Sequence, residues 1–377
     1  MKIGIDIRLI GKKQTGSEVV FFNLVKNLAV IDQKNDYILF TDTTNQETIK
    51  KIKEDLEIND KINFFVISLS TGNKFIWNFW TLQRYLRKNP VDMYLTQYIT
   101  PFFVPKKIKI LTIIHDISFK VYKQFIKKSD LFFLSTLIPW SLRRADKILG
   151  VSKFTADEII KYYHVMPEKT AWFHNSVSQD YLAQDVREEK IRKVKEKYNL
   201  PEEYILYIGT MQPRKNISTL VEAFSKIDNS DIKLVLAGGR GHNLDKKIDE
   251  TIVRNNLQND VIFPGFVDEE DKAALMKGAM IFAFPSFYEG FGIPILEAFA
   301  VGTPVIASNI APHLEISDDA AMFFDPNNAG DLAKKLNEMI NDRNRRIEYS
   351  QKGTEQVKKF SWEKTARKLL EIFEGMK

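Results

Sequence analysis

The sequence contains no cysteine. That excludes disulfides, thiolate nucleophiles and cysteine-ligated zinc together, and it suits a reducing cytosol. No apolar run approaches the roughly 20 residues that a membrane-spanning helix needs. Residues 1–10 alternate apolar side chains with Lys2, Asp6 and Arg8, so they read as a strand and not as a secretory leader. There is neither a repeat of roughly 20–50 residues nor a low-complexity tract. No Asp-x-Asp stands at the end of an expected strand to hold a metal. The glycines near the N-terminus form neither a G-x-G-x-x-G nor a P-loop pattern. Histidine is scarce, with five in the chain, so one at the edge of an expected strand is a candidate for chemistry.

What is present is ample for folding. A length of 377 residues points to two domains. Hydrophobic residues make up 44% and charged residues 28%, which supports real cores and excludes disorder. The net charge of +6 is uneven: residues 1–180 carry 27 Lys and Arg against 18 Asp and Glu, and the remainder carries 28 against 31. A basic first half suits an anionic membrane, a phosphorylated substrate or nucleic acid, or simply a solvated lysine-rich surface.

Short apolar runs alternate with helical patterns. Strands are expected at 2–7, 37–41, 62–67, 91–95, 108–114 and 147–151, then at 204–209, 233–237, 261–263, 280–284, 304–307 and 322–324. Several are apolar on both faces, as buried parallel strands require. Helices are expected between them, at 19–30, 76–88, 155–163, 218–227 and 272–277 among others. Thr155 and Glu158 form a capping-box pair at the start of one. The alternation, twice over, predicts an α/β chain with two doubly wound sheets. The break falls in the polar stretch 178–203, giving domains at 1–178 and 179–359.

The richest segment, residues 284–308, reads FPSFYEGFGIPILEAFAVGTPVIAS. A strand gives way to a loop with Glu289, Gly290 and Gly292. A short helix follows, with Pro294 at its first position and Glu297 in its first turn. Free amides at such a start, beside glycines that let a ligand approach, make an anion site. Two carboxylates there suit sugar or ribose hydroxyls; otherwise Glu297 complements the helix dipole and Glu289 is solvated. In a second segment Arg214 and Lys215 follow a strand and precede a helix, where adjacent cations grip a diphosphate unless they form an ordinary basic turn. Gly11, Thr15 and Gly16 occupy the first strand-to-helix loop. His115, followed by Asp116, ends the strand at 108–114 and is placed to meet a sugar hydroxyl or a developing charge. Gly239 and the pair Phe266 and Val267 follow two later strands, where backbone can read a base.

Together these segments resemble the retaining glycosyltransferases of family 4. The resemblance covers nearly the whole chain. It rests on MKIGIDIRLIGKKQTGS, TIIHDIS, ILGVSKFTADEI, YIGTMQPRKNISTLVEAF, the EGFGIPILEAFAVGTPVIAS block and FSWEKTARKLL. It implies the GT-B fold, with two Rossmann-like domains facing each other across a cleft. It also implies a last helix, within 360–377, that packs back on the first domain. By the resemblance, Arg214 and Lys215 contact the diphosphate of a UDP-, GDP- or dTDP-sugar and Glu297 holds the ribose. Glu289, Gly290, the amides of Phe291 and Gly292, and Ile293 bind the transferred sugar. His115 lies by that sugar, Gly16 by the phosphates, and Gly239, Phe266 and Val267 by the nucleotide. The catalytic group is thus His115, Glu289, Arg214 and Lys215, with no metal and no cofactor.

Two departures stand out. Asn175-Ser176 replaces the usual Asn-Gly pair, and Glu18 puts a carboxylate in the Gly16 loop where phosphates are expected. Rival readings are a nucleotide-sugar epimerase, which needs no acceptor, and a silent nucleotide-sugar-binding subunit. Nucleic-acid binding leaves the paired glutamates unexplained, so no nucleic-acid partner is expected. The acceptor is expected to be a glycan or lipid-linked sugar of cell-envelope polysaccharide synthesis. Residues 75–88 and 127–144 mix bulky apolar and basic side chains. They are candidates for docking on an anionic membrane, from the cytoplasmic side, unless they simply face the core.

Overall fold

The computed structural model describes residues 1–12, 16–70, 76–178, 181, 186–228, 231–241 and 243–377. Thr15, Phe75 and part of the expected interdomain stretch lie outside them. The chain divides into two compact units. One comprises Met1–Lys120, Ser129–Asn175 and Ser361–Lys377; the other comprises Val121–Lys128 and Ser176–Phe360.

The first unit is built on seven strands: β1 (Lys2–Asp6), β2 (Asp36–Thr41), β3 (Phe64–Ser68), β4 (Met93–Gln97), β5 (Lys109–Ile114), β6 (Lys147–Gly150) and β7 (Thr170–Trp172). All pair in parallel, in the order β3-β2-β1-β4-β5-β6-β7. The second is built on β8 (Tyr204–Ile208), β9 (Lys233–Ala237), β10 (Val261–Gly265), β11 (Ile281–Phe284), β12 (Val305–Ser308) and β13 (Met322–Phe324). Its order is β10-β9-β8-β11-β12-β13, again all parallel. Both are doubly wound. In each, the strand order reverses beside the first strand, and ligands of such sheets bind outside the carboxyl ends of the strands at that point.

The twelve expected strands are all present, with ends displaced by at most two residues. The central strands are apolar on both faces: β8, β11 and β12 are buried along almost their whole length. β7 was not expected. It is a three-residue edge strand, too short to show a period.

Two helix starts differ from the sequence expectation. The helix Lys153–Tyr163 is capped by Ser152, whose Oγ accepts from the Thr155 N–H at 3.0 Å. Ser152 has the extended backbone that a cap needs, so Thr155 sits inside the first turn and does not cap it. The expected helix at 76–88 opens as a π-helical turn, Trp77–Thr81, before Leu82–Lys88.

Packing in the first unit centres on Phe40, Trp77, Leu82, Leu86, Tyr94 and Ile110, all buried. Gly4 lies beneath two of these rings: a Cβ there would stand 2.9 Å from Phe40 and 3.0 Å from Tyr94. The helix Trp362–Glu374 packs along Gly16–Ile31 in this same unit, and Thr365 Oγ1 donates to the His174 carbonyl at 2.6 Å. Its Ala366, Leu369 and Phe373 are fully buried. Truncating Leu369 to alanine removes a buried side chain that neighbours cannot refill. Chemical denaturation should show a loss of about 2–5 kcal/mol.

Candidate functional site

In the second unit the strand order reverses at β8, which lies between β9 and β11. Three close backbone approaches shape this end of the sheet. Gly238, after β9, has φ +126, and a Cβ on it would stand 2.1 Å from the Gly209 carbonyl oxygen. Its N–H donates to the Gly265 carbonyl at 2.8 Å, so the ends of β8, β9 and β10 are drawn together. Met211 N–H donates to the Gly239 carbonyl at 3.3 Å.

After β8 the chain makes one tight turn, Pro213–Lys215, and enters the helix Ile217–Phe224 through Asn216. Asn216 adopts φ +57, which asparagine tolerates better than most residues. Its buried side-chain amide donates to the carbonyls of Pro285 at 3.0 Å and Pro326 at 2.8 Å. The Phe287 N–H donates to the Arg214 carbonyl at 2.9 Å. The loops after β8 and β11 are therefore bolted together.

That joint brings Arg214, Lys215 and Glu289 into one buried ion cluster. Arg214 Nη1 lies 3.2 Å from Glu289 Oε2, and Lys215 Nζ pairs with Oε1. Ser286 Oγ donates to the same Oε1 at 2.7 Å. Arg214 also donates to the Tyr288 carbonyl at 3.3 Å and to Gln212 Oε1 at 3.3 Å. Burial alone would push the Glu289 carboxyl up. Lys215 and Arg214 outweigh it, helped by the hydrogen bond from Ser286, and hold it down at about 2.

Gly290, Phe291 and Gly292 follow, all buried. Gly292 has φ +124 and caps the helix Ile293–Ala300; a Cβ there would stand 3.0 Å from Ile316 Cδ1. Ile293 takes the first helical position and Pro294 the second, so Glu297 sits in the second turn. This corrects the expectation of a first-turn carboxylate. It also removes the helix-dipole explanation, because that effect fades beyond the first turn. Glu297 is half-buried and forms no hydrogen bond or ion pair among the described residues. Burial raises its carboxyl to about 7; Lys272 opposes this and Glu269 adds to it.

The remaining expected residues divide. Val267 is 3% exposed, whereas Phe266 is 61% exposed. In the first unit His115 follows β5, and its Nε2 lies 2.8 Å from Gln97 Oε1 at the end of β4. Burial pushes its pKa down to about 4 against the pull of Asp116, so the imidazole is neutral at pH 7. Gly16 is the exposed first residue of its helix. Glu18 does not reach into open space there: its Oε1 accepts the Gly11 N–H at 2.8 Å.

Asn216, Ser286, Gln97 and His313 were not singled out from the sequence. His313 is fully buried, with Nδ1 3.1 Å from the Ser308 carbonyl oxygen and its ring 5.3 Å from that of Phe284. The available signal was position: Gln97 and Ser286 fall at or within two residues of the carboxyl end of a strand, and Asn216 and His313 fall at the start of the helix that follows one.

The two halves of the chain match known families separately. Residues 15–181 match Glycosyltransferase Family 4 and residues 187–356 match Glycosyl transferases group 1. The O-antigen chain mannosyltransferase B of Escherichia coli is 33% identical over 267 residues, which cover 70% of this chain and 69% of that protein. The serotype-specific mannosyltransferase WbdA of Escherichia coli is 30% identical over 250 residues, 64% of this chain but only 30% of WbdA. The structure of Anabaena Alr3699/HepE in complex with UDP-glucose superposes with a TM-score of 0.75 at 17% identity, covering 100% of both chains. The chain belongs to the family 4 glycosyltransferases, with the GT-B fold.

The two glutamates titrate in opposite senses, which two substitutions should separate. Glu289→Gln leaves Arg214 and Lys215 buried together, so stability should fall by about 3–5 kcal/mol at pH 7. Because the folded-state pKa of Glu289 is depressed, the difference from wild type should fade as pH falls from about 4.5 to about 2. Glu297 has the raised pKa: the folded protein holds a desolvated carboxylate above about pH 7, and both folded and unfolded states are protonated below about 4.5. Glu297→Gln should therefore raise the melting temperature at pH 8 and leave it unchanged at pH 4.5, as a thermal scan at the two pH values would show.

Proposed function

We propose that this glycosyltransferase moves a hexose, mannose or glucose, from a UDP-, GDP- or dTDP-sugar to a glycan or lipid-linked acceptor. The reaction would serve O-antigen-type cell-envelope polysaccharide synthesis, with retention of anomeric configuration and without a metal. The observation that carries this reading is the placement of Arg214 and Lys215. Both stand where the strand order reverses, fixed by Glu289 from the neighbouring strand's loop, beside a glycine-capped helix start. The names of the mannosyltransferase relatives support the sugar class and the pathway class.

In this reading the acceptor hydroxyl oxygen forms a bond to the anomeric carbon, on the face from which the diphosphate departs, as the bond from that carbon to the diphosphate oxygen breaks. The hydroxyl proton passes to the departing diphosphate oxygen. The electron pair leaves with the diphosphate. Arg214 binds that charge as a fork and Lys215 as a point charge. Being already in place, they cost no reorganisation as the charge develops. Glu289, Gly290, Phe291, Gly292 and Ile293 line the transferred sugar, Glu297 accepts from ribose hydroxyls, and Gly239, Phe266 and Val267 face the base. His115, neutral and oriented by Gln97, offers a hydrogen bond to the sugar, and Gly16 approaches a phosphate. The acceptor is presented at an anionic membrane surface.

The test is thermal stabilisation of wild type and Arg214→Ala by UDP, GDP, dTDP and their sugars, with and without EDTA. Ligand at about a hundredfold excess over its dissociation constant should stabilise wild type by about 2.7 kcal/mol. One nucleotide should do so, should ignore EDTA, and should lose most of its effect in the variant. Stabilisation by none of them, or an equal effect in Arg214→Ala, overturns the reading. Turnover of the donor only when acceptor is supplied distinguishes transfer from epimerisation.

A further inference from the structure

We propose that the first unit carries a lipid-docking face, on which exposed aromatic rings enter the headgroup region of an anionic membrane while flanking cations meet its phosphates. The purpose of this face rests on the reading that the acceptor is lipid-linked; its geometry does not.

The hub is a stack of three rings. Phe79 lies 4.2 Å from Phe102 at an interplanar angle of 7°, and Phe102 lies 4.1 Å from Trp140 at 19°. The stack joins segments distant in sequence: the π-helical turn Trp77–Thr81, the loop 101–107 and the helix Lys128–Arg144. Phe102 N–H further fixes the loop by donating to the Asn78 carbonyl at 3.0 Å.

Exposed rings radiate from this hub. Trp80 adjoins Phe79 and is 75% exposed; Phe103 adjoins Phe102 and is 70% exposed. Phe103 has φ +57, a conformation that a bulky side chain rarely adopts, so the backbone is strained where this ring faces outward. Phe133 lies two helical turns before Trp140 and shares its stripe. It is 48% exposed, and its neighbour Phe132 is 70% exposed. Trp80, Phe103 and Phe132, each 70% or more exposed, with the half-exposed Phe133 on the Trp140 stripe, are more than the scattered apolar residues of an ordinary surface.

The charge around them is mostly positive. Residues 76–107 and 129–144 hold seven Lys and Arg against Asp92 and Asp130. Arg84, one turn beyond Trp80, and Lys106 and Lys107, just beyond Phe103, are exposed and form no ion pair among the described residues. A second copy of this chain would bring cations against cations. An anionic bilayer meets both features, because aromatic rings favour the interfacial layer and each nearby cation strengthens binding.

The experiment is co-sedimentation of the full chain with vesicles of phosphatidylglycerol mixed with phosphatidylcholine, and with phosphatidylcholine alone, at low and high salt. Wild type should bind the anionic vesicles and be released by salt. Lys106→Ala with Lys107→Ala should weaken binding about thirtyfold, at about fivefold per cation. Trp80→Ala with Phe103→Ala should weaken binding even at low salt. Both variants should keep the wild-type circular dichroism spectrum and a cooperative thermal transition, which shows that the first unit folds, and nucleotide stabilisation, which reports the second unit, should be unchanged. Absence of wild-type binding to anionic vesicles overturns the proposal. So does retention of binding in both double variants, or a concentration-dependent dimer abolished by the aromatic pair without vesicle binding. A failed nucleotide assay in wild type alongside intact vesicle binding would sink the donor reading and leave this one standing.

Discussion

The second unit's site depends on one interaction, the burial of Glu289 between Arg214 and Lys215. Taking three charged groups out of water is expensive, and the attraction among them offsets that cost only where the geometry is tight. The joint supplies that geometry. Asn216 clamps the β8 loop to two carbonyls, Phe287 donates to the Arg214 backbone, and Ser286 donates to the carboxylate. The triad carries a net single positive charge, so it is both stable enough to persist and suited to an anionic ligand. A lone pair of cations at this position would repel, and would have to be brought together again at each binding event.

The glycines serve the same end by removing side chains where backbones must meet. Gly238 is the extreme case, because no Cβ fits 2.1 Å from a carbonyl oxygen, and its φ of +126 is unavailable to other residues without strain. Moving it outward would part the ends of β8 and β9, and with them the turn that holds Arg214 and Lys215. Gly292 does the equivalent work at the helix start. Its positive φ ends the loop and fixes which residue is first in the helix, and so which turn carries Glu297.

Much of this was legible in the sequence, and the physical reason is periodicity. Strands buried on both faces are written as apolar runs, and the chain gives twelve of them with little ambiguity. β7 escaped because three residues at a sheet edge carry no period. The ends of helices were less legible. Ser152 and Thr155 are both good caps, and only the extended backbone at Ser152 decides between them. Pro294 suits either of the first two helical positions, and the conformation of Gly292 shifts the count by one. The residue types of the site were readable as Arg214, Lys215, Glu289 and Glu297. Their mutual pairing was not, because 74 residues separate Lys215 from Glu289 and no local pattern records a long-range ion pair. Asn216, Ser286 and Gln97 were missed for the same reason: each acts by touching a residue that the chain alone does not place beside it.

The electrostatics divide the labour at the strand ends. Glu289 is held at about 2 by its two cations, and His115 and His313 are held at about 4 by burial, so none of these three changes charge near neutral pH. Glu297, with no cation paired to it, sits at about 7. The two carboxylates are eight positions apart in one motif, yet they differ because one lies where two strand loops converge and the other lies on a helix packed against apolar neighbours. A fixed charge suits a group that must hold two cations in place whatever the ligand state. A carboxylate at about 7 changes its ionisation with its surroundings, and hydroxyls donating to it, as proposed for the ribose, would draw it toward its charged form. Of these four groups, Glu297 is therefore the one whose charge changes between pH 6 and 8, whereas His115 and His313, despite the ordinary reputation of histidine as a neutral-pH switch, stay neutral there.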